Sequence, residues 1–343
     1  MLANPYQYAL EMFNDDGTPL GQVPVEVDWE PAREWTRFLA IRRGELPVAE
    51  AGRAASVQPV WHGKLGEPYL GGFRVSISGN GAGLVAGDFP ITYFAGLAQA
   101  ASSQFVERGE LKDGEYFKYS VVAFPRPAER PAAPGLGLTA EEIAPVLPLV
   151  ETPLAGFLER GVPAGALEAP DMPVFIPRQV LEEAAALTCA AGERETGGIL
   201  IGHLRRDAGL PEIFAEVTAQ VWAEHTEGST TRLTFTAQTW TAVQAAIALR
   251  RRGELYLGFW HSHPVQEWCK TCPPEKQRAC SLAKGFFSAD DQALFRAIFP
   301  RAYSVALVAT VIAGDEVKHT LFGWRQGLVQ PRGYYLIGGD HGA

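Results

Sequence analysis

The stretch from Phe124 to Pro173, FPRPAERPAAPGLGLTAEEIAPVLPLVETPLAGFLERGVPAGALEAPDMP, is rich in Pro, Ala and Gly and divides the chain into two patterned regions. Proline removes a backbone donor and glycine raises the entropy cost of ordering, so such a run is a poor helix interior and a poor strand. It reads as a connector with one short helix near TAEEIAPVL. The organisation expected from this break is an α+β domain over 1–124, a connector over 125–172, a second domain over 173–335 and a flexible tail over 336–343. The chain has 343 residues, 47% hydrophobic and 20% charged, which suits two ordinary domains with buried cores.

The region before the break alternates strand and helix patterns. YQYALEMF, VPVEVDW, SVQPVW and GGFRVSIS read as strands, PAREWTRFLAIRRG and ITYFAGLAQAASSQFVERG as helices, and EYFKYSVVAF as a closing strand. No catalytic constellation stands out, and His62, the one histidine of this half, reads as structural. Substrate recognition and partner docking are both open to this half.

The region after the break has a sharper pattern. IPRQVLEEAAALTCAAG carries Val180, Leu181, Ala184 and Leu187 at helical spacing, and TAQTWTAVQAAIALRRRG carries Trp240, Val243 and Ile247. GGILIGHL, IFAEVTAQVW and ELYLGFW read as strands, SADDQALFRAIFP as a helix stopped at Pro300, and YSVALVATVIAGDEVKHTLFGW as two strands around a Gly-Asp turn. The sum is a mixed sheet flanked by helices, within a two-domain α+β chain.

ELYLGFW runs directly into His261-Ser-His263-Pro264. Side chains at i and i+2 of an extended segment share a face, so the two imidazoles can aim at one point. Catalytic zinc takes three protein ligands and leaves a position to water. An anionic third ligand is available in SADD, where Ser288 and Asp291 also form a helix N-cap pattern; the cap and ligand readings are compatible. A proton acceptor for hydrolysis is available in Glu195, before the glycine-rich start of a buried strand, with Glu193 a rival on composition alone.

Glu195-Thr-Gly-Gly-Ile-Leu-Ile-Gly202, Gly258-Phe-Trp-His-Ser-His-Pro264 and Ser288-Ala-Asp-Asp291 together resemble the JAB/MPN domain with the JAMM metalloprotease signature. The resemblance spans roughly Pro173 to Tyr335. It implies a cytidine-deaminase-like α/β/α fold, with His261, His263 and Asp291 as zinc ligands and Glu195 as general base and proton shuttle. Ser288 would hydrogen-bond the oxyanion, Asp290 would be a non-ligand neighbour, and Ser262 would be structural. Active members are similar in cleaving peptide or isopeptide bonds at the C-terminus of ubiquitin or ubiquitin-like proteins.

The chain departs from that signature in one place. The serine usually follows the second histidine by eight residues; here the interval is 288 − 263 = 25, so about 17 residues, placed at 268–284, are inserted. The insertion carries Cys269-x2-Cys272-x7-Cys280. A second, structural zinc, an iron–sulfur cluster and unligated or redox-active thiols are the alternatives, with Cys189, His203, His225 or a residue of the N-terminal half as a fourth ligand. The insertion can also act as a lid or substrate-gripping loop. The final LIGGDHGA resembles the unprocessed end of a ubiquitin-like modifier, but a frayed glycine-rich terminus explains it as well.

The functional expectation is a zinc-dependent isopeptidase or peptidase acting on a ubiquitin-like or sulfur-carrier-like protein or its conjugates. Adenylating (E1-like) and conjugating (E2-like) enzymes are candidate partners. The alternatives are a non-catalytic MPN scaffold and a small-peptide metallohydrolase. A formal charge of −9 argues against a nucleic-acid or anionic-membrane surface. No apolar run reaches membrane-spanning length and MLANPYQYAL lacks signal-peptide character, so a cytoplasmic location is expected.

Overall fold

A computed structural model describes residues 5–63, 68–77, 85–126, 147–224, 226–228, 233–314 and 316–338. The chain divides into two units, Met1–Val146 and Leu147–Ala343. Both mix helices and sheets.

In the first unit, Tyr6–Asn14 pairs antiparallel with Pro19–Val25 on one side and Phe117–Pro125 on the other. A second antiparallel sheet orders Ala55–Trp61, Leu70–Ile77 and Val85–Pro90. Helices Glu30–Arg42 and Ala95–Glu107 accompany them. Aromatic rings fill the core: Trp29 packs edge-on against Phe73 at 4.7 Å, and Phe73 stacks on Phe89 at 4.8 Å. The strand expected at VPVEVDW lies earlier, because pairing with Tyr6–Asn14 ends at Val25 and Pro31 opens a helix in its first turn. Val85–Pro90 was not expected as a strand. Gly87 and Asp88 weaken its pattern, and it is held by pairing with Leu70–Ile77, including an Arg74–Asp88 ion pair at 2.6 Å. His62 is exposed.

The second unit is built on a ten-stranded mixed sheet among the described residues. Its centre orders Glu316–Arg325, Val305–Ile312, Leu255–His263, Gly197–Arg206 and Ile213–Trp222. Val305–Ile312, VALVATVI, is buried along its whole length, as expected for a β-branched strand inside a sheet. Leu255–His263 runs parallel to it and antiparallel to Gly197–Arg206. Gly258 permits this closeness: a Cβ there would collide with the Val305 carbonyl. Helices Arg178–Ala191, Ala237–Arg250 and Ala289–Ile298 complete the unit.

Two sequence expectations are corrected here. The connector was placed over 125–172, but its second part belongs to the sheet unit. Leu149–Glu151 pairs parallel with Gly197–Arg206, and Gly161–Ala164 pairs antiparallel with Tyr334–Ile337. Between them, helix Ala155–Arg160 carries Phe157 beside Leu154 into a core cluster with Phe175 and Phe214. The physical reason is that two apolar side chains suffice to dock a short helix, whatever the surrounding Pro and Gly content. The tail placed at 336–343 also begins too early, since Leu336 and Ile337 pair with Ile176 and Pro177. Residues 127–146, with most of the TAEEIAPVL helix, and residues 339–343 lie outside the described residues.

Candidate metal centre

His261 and His263 lie inside the Leu255–His263 strand, opposite Val308 and Thr310 of one neighbour; Gly197 of the other faces His261. Only 1% and 2% of their surfaces are exposed. The i, i+2 spacing puts both rings on one face, and their Nε2 atoms stand 3.0 Å apart. The Asp291 carboxylate completes the group, with Oδ1 3.3 Å from His261 Nε2 and Oδ2 3.7 Å from His263 Nε2. Among the described residues, this is the one group of three His, Cys, Asp or Glu whose ligand atoms all lie within 4.8 Å of one another.

The cap reading of Ser-x-x-Asp holds. Ser288 Oγ accepts from the Asp291 N–H at 3.0 Å, and Asp291 Oδ2 accepts from the Ser288 N–H at 2.8 Å. This capping box fixes the helix start, and with it the carboxylate that faces the imidazoles. Asp290 is exposed and takes no part.

The imidazoles are held by packing. Phe286 stacks on His263 at 4.3 Å, Trp268 lies 5.4 Å from it, and Phe259 stacks on His261 at 5.5 Å. Neither Nδ1 has a hydrogen-bond partner, so ring orientation comes from these aromatic walls. The sequence reading missed Trp268, Phe286 and Phe287; the signal was present as apolar aromatics on both flanks of a polar insertion.

Glu195 lies next to this group, 6% exposed. Two hydrogen bonds lock its neighbour Thr196 to the histidine strand: Thr196 N–H donates to Ser262 Oγ at 2.9 Å, and Ser262 N–H donates to the Thr196 carbonyl at 2.8 Å. Trp222 Nε1 donates to Thr196 Oγ1 at 3.1 Å. Glu193, the compositional rival, is solvent-exposed and faces Lys270 at 4.0 Å.

Burial pushes the Glu195 carboxyl up to about 8, and the charge of Asp291 adds to the rise. Burial acts on Asp291 in the same direction, but hydrogen bonds from His261 and His263 outweigh it and hold this carboxyl far below the usual range. Burial lowers His263, favouring the neutral imidazole that a metal requires. Two carboxyl groups in one small site are thus pushed apart, one ionised and one retaining its proton near neutrality, a pattern typical of acid–base sites.

The cysteines divide differently. None of the four forms a disulfide; Cys189 and Cys272 are exposed, Cys269 and Cys280 half-buried. Cys269 is near enough to Cys280 and Cys272 that both, after burial, raise its pKa. Cys189 is on the last turn of Arg178–Ala191. His203 has Arg205, Glu216, Glu254 and Arg252 as charged neighbours, and His225 lies outside the described residues.

These three side chains, two on a strand and one at a helix start beside a mixed sheet, define an α+β domain with a buried group that could bind a metal ion. Residues 177–267 match the family described as prokaryotic homologs of the JAB domain, consistent with a JAB/MPN domain in the C-terminal half. No curated protein matches the chain. Among solved structures, a solution structure of a Desulfitobacterium hafniense protein is similar, at 18% identity and a TM-score of 0.33, over 49% of this chain and 94% of that one.

Proposed function

We propose that the C-terminal unit is a zinc-dependent isopeptidase or peptidase of the JAMM type, cleaving at the C-terminus of a ubiquitin-like or sulfur-carrier-like protein. The carrying observation is the convergence of His261 Nε2, His263 Nε2 and the Asp291 carboxylate, with the buried Glu195 beside them. The donor set fits zinc: two imidazoles and one carboxylate leave the fourth tetrahedral position open. The two Nε2 atoms stand 3.0 Å apart and both face the Asp291 carboxylate, so three donor atoms converge on one point as ligands of a single cation would.

When bound, zinc supplies Lewis-acid polarisation of an amide carbonyl and shifts the pKa of water toward neutrality. His261, His263 and Asp291 hold it. Glu195, buried beside Asp291, takes the proton of the attacking water and returns it to the leaving amine. Ser288 donates its hydroxyl proton to the developing oxyanion; its lone pair is already engaged by the Asp291 N–H, which fixes where the hydroxyl stands. Phe286 and Trp268 shield His263 from water. An extended substrate tail ending in Gly-Gly suits the site because it can add to a sheet edge through main-chain hydrogen bonds.

A non-catalytic scaffold is disfavoured by the same carboxyls. Burying Glu195 against Asp291 costs stability, and a binding surface gains nothing from it. Adenylating and conjugating enzymes as partners, and a cytoplasmic location, belong to this reading. No described helix is long and apolar enough to cross a membrane.

The test is a panel of ubiquitin-like and sulfur-carrier proteins extended beyond their terminal Gly-Gly by a reporter peptide, read by intact mass. Zinc-loaded wild type should cut after Gly-Gly in at least one, and Glu195→Gln should retain zinc while losing turnover. A zinc-loaded wild type that cuts none of them overturns the proposal.

A further inference from the structure

We propose that Cys269, Cys272 and Cys280 form a second zinc site, made of thiolates, that braces the insertion between His263 and Ser288. It is distinct from the histidine–aspartate centre and does not depend on the hydrolase reading.

The backbone already holds the three cysteines in one small frame. Cys272 N–H donates to the Cys269 carbonyl at 2.8 Å, closing the tight turn that a Cys-x2-Cys pair needs to present two thiolates to one cation. Gln277 is buried, and its side-chain amide donates to the carbonyls of both Cys269 and Cys272, at 2.8 and 3.2 Å. It stands on the short helix Pro274–Ala279, whose end is Cys280, with Cys280 N–H donating to the Gln277 carbonyl at 3.2 Å. One glutamine therefore sets the position of all three.

The insertion also lacks the means to order itself by packing. Between Trp268 and Phe286 only Gln277 and Ala283 are buried. A segment with so little apolar burial does not offset its ordering entropy and calls for a staple, of which a metal is a common kind. The charge balance agrees. Three thiolates around a divalent cation carry a net negative charge, and Lys270, Lys276, Arg278 and Lys284 outnumber Glu267 and Glu275 in the same segment.

The three sulfurs do not meet the mutual 4.8 Å spacing that the histidine–aspartate group meets. Cys272 is exposed, so a rotation about its χ1 can draw it inward on binding. Such a site would fix Trp268, the residue before Cys269, against His263 and Phe286, and so tie the insertion to the wall of the metal centre.

The experiment uses the full chain, stripped of metal and reloaded with zinc or cobalt. Wild type should bind two zinc ions per chain; Cys272→Ser/Cys280→Ser and His261→Ala/His263→Ala should each bind one. Cobalt should give a near-ultraviolet thiolate-to-metal charge-transfer band that the cysteine variant loses and the histidine variant keeps. In wild type, zinc should protect cysteine thiols from a maleimide, a readout that needs no variant to fold. Failure of the hydrolase reading leaves the band untouched. A band absent from wild type, with thiols equally reactive with and without zinc, overturns the proposal.

Discussion

In the metal-free protein Glu195 should make stability fall as pH rises, and Glu195→Gln should abolish that fall. The carboxyl is pushed to about 8 from an ordinary value of 4.5. A raised acid favours the folded state while protonated, so its contribution is fully present below 4.5 and is lost as pH climbs through about 8. The whole shift is 8 − 4.5 = 3.5 pH units, or roughly 5 kcal/mol at about 1.4 kcal/mol per unit, an upper bound because protein relaxes around a buried charge. His263 and His319 are lowered by burial, His319 to about 4; their contributions are present above 6.5 and are lost only as pH falls below it. His203 is lowered in the same way, and Cys269 is raised from 9.0, so the interval from about pH 6.5 to 8.5 is the one in which Glu195 dominates, and integrating its proton binding there gives a loss of about 2 kcal/mol. The assay is urea unfolding in EDTA at both ends of the interval, following the transition of the C-terminal unit in wild type and variant. Parallel pH dependences in the two proteins would refute the reasoning, because they would mean that Glu195 is not held protonated by its surroundings.

Three further outcomes are expected. Ser262→Ala leaves the buried Thr196 N–H without its partner and should destabilise the unit by about 1–3 kcal/mol in the same unfolding assay, with zinc content unchanged. Phe157→Ala removes a ring packed against Phe175 and Phe214 and should cost about 3–5 kcal/mol, a loss not expected if 147–172 were a loose connector. Ser288→Ala breaks one arm of the capping box and should cost about 1 kcal/mol in thermal unfolding, with a larger proportional loss in kcat than in zinc affinity.

Much of the candidate site's geometry was legible because it is local. His261 and His263 share a strand face by period alone, and Ser288 and Asp291 form both a cap and a ligand source within one helical turn. The rings that hold the imidazoles were not legible. Phe286 reaches His263 across an inserted segment, and nothing in its own neighbourhood announces that contact. The same distinction runs through the fold. Val305–Ile312 declares itself by eight consecutive buried apolar or β-branched positions, whereas Val85–Pro90 is a strand only because Leu70–Ile77 is there to pair with it. Leu149–Glu151 and Gly161–Ala164 are short segments in proline-rich sequence, and their partners, Gly197–Arg206 and Tyr334–Ile337, are remote in the chain. Composition reports what a segment can do alone; here tertiary pairing decided otherwise.

In the proposed centre two imidazoles and one carboxylate share a single cation. A crystal structure of the zinc-loaded full chain, with anomalous data at the zinc edge, tests it most directly. The expected result is a peak about 2.0–2.2 Å from His261 Nε2, His263 Nε2 and an Asp291 carboxylate oxygen, with Glu195 adjacent but not coordinating. A zinc-loaded crystal with no peak among those three side chains, or with Asp291 turned away from the metal, would contradict it.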